Sequence, residues 1–363
     1  MRLTLVITSL QAGGAERVMC ILANAWAGAG HSVTLLTFDN APPFYPLDAS
    51  VRHFPLGLLH SGLGFSPRLR RAFVRHIRLR EAIRQSRPEA VISFIETTNI
   101  RTLLACLGLG LSVVVSERTH PAMHAHTVGP VWNALRRLTY PLAKSVVIQS
   151  EAVRTCLPLG ARRNAVVIPN PVLSPVVDSV LPPILLPRPC VLCVGRLSAE
   201  KGQDVLLKAF ALVQERFPQW NLVLVGDGPA RADLEQLAER LGIKNAVVFA
   251  GKVRAVDQYY RQADIYVCPS HYEGFPNALC EAMAHGLPVV ATDAPGAMGE
   301  IVHHGVSGIL VPVANPAALA EGLGTLLGDV ARRNTLGQRA RSVADRFSPR
   351  LVLKMWEKLL GVA

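Results

Sequence analysis

The sequence predicts an α/β protein of two Rossmann-like, doubly wound domains, and three observations carry that expectation. A pattern of strand, glycine turn, helix and strand opens the chain and restarts near residue 190; a proline-rich stretch ending at Pro189 separates the two runs; and 363 residues suffice for about two domains of ordinary size. Half of the residues are apolar, so neither core lacks material.

In the first run, LTLVIT at 3–8 reads as a strand. It is followed by a turn with Gly13 and Gly14, a helix from about Ala15 to Ala27, and a second strand from His31 to Phe38. Paired glycines at a first strand-to-helix turn let backbone approach a ligand, or simply make a tight turn, and both readings stay open. Pro67 to Arg87 spaces Leu69, Phe73, Ile77 and Ile83 helically among eight arginines, which predicts an amphipathic, cationic helix. With the loop Gly62 to Phe65 upstream, it is expected to meet an anionic membrane surface. AVISF at 90–94 and LSVVVS at 111–116 read as further strands, the second ending in Ser116-Glu117-Arg118-Thr119-His120-Pro121. Such a loop lies at the carboxyl edge of the sheet, where open α/β sheets bind ligands. Glu117, Arg118 and His120 are therefore candidate contacts. His124 and His126 follow, but no carboxylate or cysteine completes a metal-ligand spacing. One more strand, Lys144 to Gln149, precedes the boundary, which falls between residues 172 and 173.

In the second run, CVLCVG, NLVLVG and AVVFAG read as strands, with helices over Asp204 to Phe217 and Ala230 to Leu241. The first turn, Gly195 to Gly202, places Arg196 and Lys201 on a loop feeding a helix, which suits a diphosphate. The second holds Gly226 and Gly228 before Pro229. Then comes SHYEGFPNALCEAMAHG, Ser270 to Gly286, between the strand runs ADIYVCPS and VVATD. Gly274 and Pro276 break helix, Asn277 starts one, and the helix N-terminus offers N–H groups to phosphate. Glu273 and Glu281 would repel a phosphate, so they are expected to accept hydrogen bonds from sugar hydroxyls.

Charge narrows the partners. Residues 1–175 carry 19 Lys+Arg against 8 Asp+Glu, whereas residues 176–363 carry 19 against 18. The basic first half implies an anionic partner, and its arginines lack the interleaved aromatics of a nucleic-acid binder. None of the G-x-G pairs completes a dinucleotide fingerprint, and no D-x-D pair supplies a metal clamp for a diphosphate. The seven cysteines have no regular spacing and fit a reduced compartment; Cys190 and Cys193 would point to opposite faces of one strand. Thr102 to Ser116 is too short to span a bilayer, and MRLTLVITSL lacks a cleavage site, so the expected location is the cytoplasm.

GGAE at Gly13 to Glu16, VGRLSAEKG, GDGP, the E-x7-E of Glu273 and Glu281, and HHGVSGILVP at His303 to Pro312 occur in one order along nearly the whole chain. In this the sequence resembles the family 4 glycosyltransferases, retaining enzymes with the GT-B architecture of two domains facing a cleft. The resemblance implies a hexosyltransferase whose N-terminal domain, 1–172, binds the acceptor and whose C-terminal domain, 173–347, binds a nucleotide-diphosphate sugar, UDP-sugars being the family habit. It further implies that the last helix, 348–363, returns to the first domain. Arg196 and Lys201 would stabilise the leaving diphosphate without metal or cofactor. Glu281 would hold ribose hydroxyls, Glu273 a hydroxyl of the transferred sugar, and Gly14 would close over the phosphates. Backbone N–H groups from Phe275, Pro276, Asn277 and Ala278 (proline having none) and the turns at Gly226 and Gly228 would complete the donor site. The Ser116–Pro121 loop is similar to that of bacterial members acting on polyprenyl-diphosphate-linked glycans or lipopolysaccharide, which implies a lipid-linked acceptor and attachment to the cytoplasmic face of the inner membrane. Rival readings are a GT-B nucleotide-sugar epimerase or hydrolase, and a nucleotide-sugar-binding regulator without turnover.

Overall fold

A computed structural model describes residues 1–59, 68–118, 129–175 and 184–361. The chain forms two compact units, Met1–Asn170 with Val352–Ala363, and Pro171–Leu351.

The N-terminal unit contains β1 (Arg2–Ile7), α1 (Gly14–Gly28), β2 (Ser32–Thr37), β3 (Arg52–Pro55), α2 (Arg68–Ser86), β4 (Ala90–Phe94), α3 (Glu96–Cys106), β5 (Ser112–Ser116), α4 (Pro130–Thr139), β6 (Ser145–Ile148) and β7 (Ala165–Val167). Its sheet is parallel in the order β3-β2-β1-β4-β5-β6-β7, with Leu3 in register with both Val33 and Ala90. Both faces are covered, which is why β4 is apolar or small throughout and buried at every residue. Alternate strand residues feed two cores. Leu3, Leu5 and Ile7 meet Met19, Leu22 and Trp26 of α1 on one side, while Val6, Leu36 and Val91 meet Leu79 of α2 and Leu103 of α3 on the other.

The second unit contains β8 (Cys190–Val194), α5 (Gln203–Gln214), β9 (Asn221–Val225), α6 (Arg231–Arg240), β10 (Val247–Gly251), α7 (Val256–Gln262), β11 (Ile265–Cys268), α8 (Asn277–Ala284), β12 (Val289–Thr292), β13 (Ile309–Val311), α9 (Pro316–Leu327) and α10 (Val330–Ala340). Its parallel order, β10-β9-β8-β11-β12-β13, repeats the doubly wound plan. Cys190 joins one core and Cys193 the other, as a two-residue period requires. The last helix, α11 (Pro349–Leu360), places Val352, Trp356 and Leu360 in the core of the N-terminal unit, where Trp356 lies 6.1 Å from the rings of both Trp26 and Phe94.

Three local details go beyond the expected elements. On α2, Phe73 and Ile77 are 65% and 46% exposed, while Leu79 and Ile83 face the core. Arg75 Nε donates to Leu58 O at 2.8 Å and Arg80 Nη1 to Ala105 O and Leu107 O at 2.7 Å, which fixes the rotation of the helix. Ala165–Val167, just before the proline-rich stretch, is a seventh strand, paired with β6. Asn277 starts α8 as its first residue, with Pro276 at the cap position and no side-chain cap hydrogen bond.

Trp356 is fully buried. Trp356→Ala is expected to cost about 3–5 kcal/mol, measured by urea denaturation; a loss below about 1 kcal/mol would deny the last helix its part in the core.

Candidate active site

In the second unit the strand order reverses between β8 and β11, and loops leaving the carboxyl ends of two such strands flank the usual ligand crevice of this topology. The β8 loop carries Arg196 and Lys201, and the β11 loop carries Ser270 and Glu273. Lys201 Nζ donates to Glu273 Oε1 at 2.7 Å, and Ser270 Oγ donates to the same oxygen at 2.7 Å. Glu273 is buried, at 7% exposure. Burial alone would lower the Lys201 pKa, but the Glu273 carboxylate outweighs it and holds the ammonium above its ordinary value. Lys201 is therefore a cation at neutral pH. Arg196 is exposed, with no acidic partner among the described residues.

Glycine brings the two loops this close. Gly202 sits at φ +65°, and a Cβ there would lie 2.1 Å from Pro269 O, so only glycine lets the turn after Lys201 lie on the β11 loop. His271 N then donates to Glu200 O at 2.9 Å. Gly226 and Gly228 are pressed against the neighbouring loop, where an added Cβ would fall 1.9 Å from Gly195 O and 2.3 Å from Leu197 O respectively. The absence of side chains at both positions lets the β8 loop seat here.

Along α8, Asn277, Ala278 and Glu281 remain accessible on one face, whereas Phe275 and Pro276 are buried, Phe275 packing 5.4 Å from Phe347. The Glu281 side chain accepts a hydrogen bond from Tyr260 OH at 3.2 Å. His285 braces the same turn, its Nδ1 2.8 Å from Glu281 O and its Nε2 2.7 Å from Asp257 Oδ1. Sequence reasoning missed Ser270, Tyr260 and His285. Ser270 had a signal, lying three residues before Glu273, whereas Tyr260 is one of two adjacent tyrosines and nothing in the sequence singles it out.

In the N-terminal unit Gly14 is exposed as the first residue of α1. Glu117, read as a substrate contact, is fully buried and paired with Arg136 Nε at 2.8 Å, with Glu96 Oε1 3.8 Å from the same nitrogen. Burial opposes the Arg136 charge, but Glu117, Tyr140 and Glu96 together outweigh it and hold the group above its ordinary value. The guanidinium of Arg118 stacks 3.7 Å over Phe94 and donates to Asn170. Burial pushes it down to about 9, so it stays cationic at neutral pH. His120 lies outside the described residues. Among the described residues no three His, Cys, Asp or Glu side chains are grouped to hold a metal.

This architecture is shared with solved glycosyltransferase-fold structures. Sucrose-phosphate synthase from Thermosynechococcus elongatus is 22% identical, covers all of both chains and superposes with a TM-score of 0.82. Anabaena HepE in complex with UDP-glucose is 22% identical over 99% of this chain and 100% of its own, with a TM-score of 0.78. Two doubly wound units of this plan make the fold GT-B. The Glycosyltransferase Family 4 model matches residues 12–172 and the Glycosyl transferases group 1 model residues 183–343. The chain belongs to this family. A relative spanning 99% of this chain and 98% of its own, at 27% identity, is the Campylobacter jejuni alpha-1,4-N-acetyl-D-galactosaminyltransferase whose name specifies a diNAcBac-PP-undecaprenol-linked glycan.

Gly202→Ala should separate Lys201 from Glu273 and cost about 1–3 kcal/mol in chemical denaturation; unchanged stability would mean the loops need no such contact. The pairing raises the Lys201 pKa above its value in the unfolded chain, so its stabilisation is complete below the ordinary 10.5 and fades as pH rises through the folded value. The melting-temperature gap between the native protein and Lys201→Gln should therefore be constant near neutrality and narrow above pH 10.5. A gap that widens there would contradict the pairing.

Proposed function

We propose that this glycosyltransferase moves a sugar from a nucleotide-diphosphate sugar, preferentially a UDP-sugar, to a hydroxyl of a lipid-linked glycan, with retention of anomeric configuration and without a metal ion. The observation that carries the proposal is the Lys201–Glu273 pair beside exposed Arg196 and the open face of α8. A lysine has three N–H donors and Glu273 occupies one of them, so Lys201 keeps donors for a phosphate. Arg196 would supply the second cation. In the reaction the bond from the anomeric carbon to the β-phosphate oxygen breaks, the acceptor oxygen bonds to that carbon, and the acceptor proton passes to the leaving phosphate. Negative charge grows on the diphosphate, where Arg196 and Lys201 meet it. Glu273 would receive a sugar hydroxyl, and Glu281, steadied by Tyr260, the ribose hydroxyls.

The acceptor assignment draws on the relative named for an undecaprenol-linked glycan and on the basic first half of the chain. It places the reaction in assembly of a cell-envelope polysaccharide, lipopolysaccharide or related glycan at the cytoplasmic face of the inner membrane. No helix among the described residues is long and apolar enough to cross a membrane. The proposed attachment is peripheral, through α2, whose exposed Phe73 and Ile77 lie among exposed Arg78 and Arg84.

Glu273→Gln is expected to lower transfer about 10- to 100-fold, the value of a hydrogen bond to a charged group, with nucleotide affinity little changed. Full turnover by that variant would sink the role given to Glu273. Donor consumption should require added lipid-linked acceptor, and consumption at the same rate without it would favour an epimerase or hydrolase.

A further inference from the structure

We propose that a pocket between α4 and the segment 155–162 receives the phosphate of an anionic phospholipid headgroup while the leucines at its rim enter the bilayer interface. The pocket has a volume of about 230 Å³ and is lined by Asn133, Arg136, Arg137, Thr155 and Arg162, among others, with no acidic side chain in its wall. Arg136 is neutralised by Glu117. Arg137 and Arg162 have no acidic partner among the described residues, so the pocket keeps positive charge. Arg162 is fixed in place, its Nε donating to Leu157 O at 3.0 Å and its Nη2 to Thr155 O. Backbone carbonyls orient a guanidinium without cancelling its charge, which leaves it ready for a phosphate oxygen. The surrounding stretch, residues 130–163, holds six Lys or Arg against one acid, Glu151.

The rim distinguishes a leaflet from a dissolved anion. Leu138, Leu142 and Leu159 are 71%, 55% and 76% exposed. Leu138 follows Arg137 in sequence and Leu159 follows Pro158, both pocket residues, and Pro141 approaches Gly160 so closely that a Cβ there would lie 3.0 Å from its ring. The contact brings the turns carrying Leu142 and Leu159 together beside the pocket, and Leu138 adjoins its Arg137. A dissolved anion needs no such rim, whereas cations beside apolar side chains match the headgroup and acyl boundary of an anionic bilayer. Residues of α2 and α3, with Tyr140 directly after α4, pack in the same core on one face of the sheet, so this pocket and exposed Phe73 and Ile77 belong to one helical layer. The inference deepens the membrane reading and is independent of the donor site.

Sedimentation with phosphatidylglycerol and with phosphatidylcholine vesicles tests it. The native protein should partition to the former, and Arg137→Gln/Arg162→Gln should lose about 30-fold of that partition. Leu138→Ser/Leu159→Ser should lose about 10-fold or more, and UDP-induced thermal stabilisation should be retained in both. Arg137→Gln alone, at an exposed helix position, keeps the test valid should the Arg162 change disturb its loop. Undiminished vesicle binding by these variants, or binding lost only in an Arg78→Gln/Arg84→Gln control on α2, would overturn the proposal. So would native protein that binds inorganic phosphate in equilibrium dialysis but no vesicle. Native protein that binds phosphatidylglycerol vesicles but shows no acceptor-dependent transfer would count against the catalytic reading alone.

Discussion

The donor-side arrangement depends on one ion pair, Lys201 to Glu273, formed across the reversal in strand order of the second sheet. A buried carboxylate is costly unless it is compensated, and Lys201 and Ser270 compensate this one by donating to a single oxygen, Oε1. In the proposed role, the second oxygen would meet a substrate hydroxyl. Lys201 is 29% exposed at its side chain, so the same contact that compensates Glu273 leaves the ammonium partly open. Each charge is positioned by the other, and a phosphate arriving at the lysine would alter the environment of the glutamate beside it.

The N-terminal unit handles its buried charges differently. Glu96, Glu117 and Arg136 are all at least 93% shielded at their side chains, and they tie the end of β5 to α4. Arginine suits that position because its planar fork serves two carboxylates while remaining charged. Tyr140 adds to the cluster, its hydroxyl meeting Asn99 at 3.1 Å, and burial first, then the charge of Glu117, raise its pKa well above the ordinary range. Charge within this unit thus fixes its frame.

The sequence disclosed elements with strong local periodicity and chemistry encoded at short range. The strands β1, β2, β4 and β5 were legible as apolar runs, and Glu273 and Glu281 were legible because eight positions on one strand–loop–helix unit define a recognisable pair. The partner of Glu273 was not legible, since Lys201 lies 72 residues away and only the parallel order of β8 and β11 brings the two together. Glu117 was misjudged for the same reason: its neutralising arginine is 19 residues downstream and arrives through the packing of α4. The exposed Phe73 and Ile77 show the limit of periodicity on an arginine-rich helix, where hydrogen bonds from Arg75 and Arg80 decide which face turns inward. Short edge pieces such as β3 and β7 carry too few residues to declare a period.

The return of α11 to the first unit bears on how such enzymes diversify. The second unit is a continuous segment, Pro171–Leu351, but the first is closed by residues from beyond it. A gene recombined at one point between the halves would give the N-terminal sheet a foreign last helix, with no assurance of an indole to fill the space between Trp26 and Phe94. Exchange of the second unit therefore calls for two crossovers, one near Asn170 and one near Val352. Shuffled descendants that persist should carry the tail of the parent that gave them their beginning.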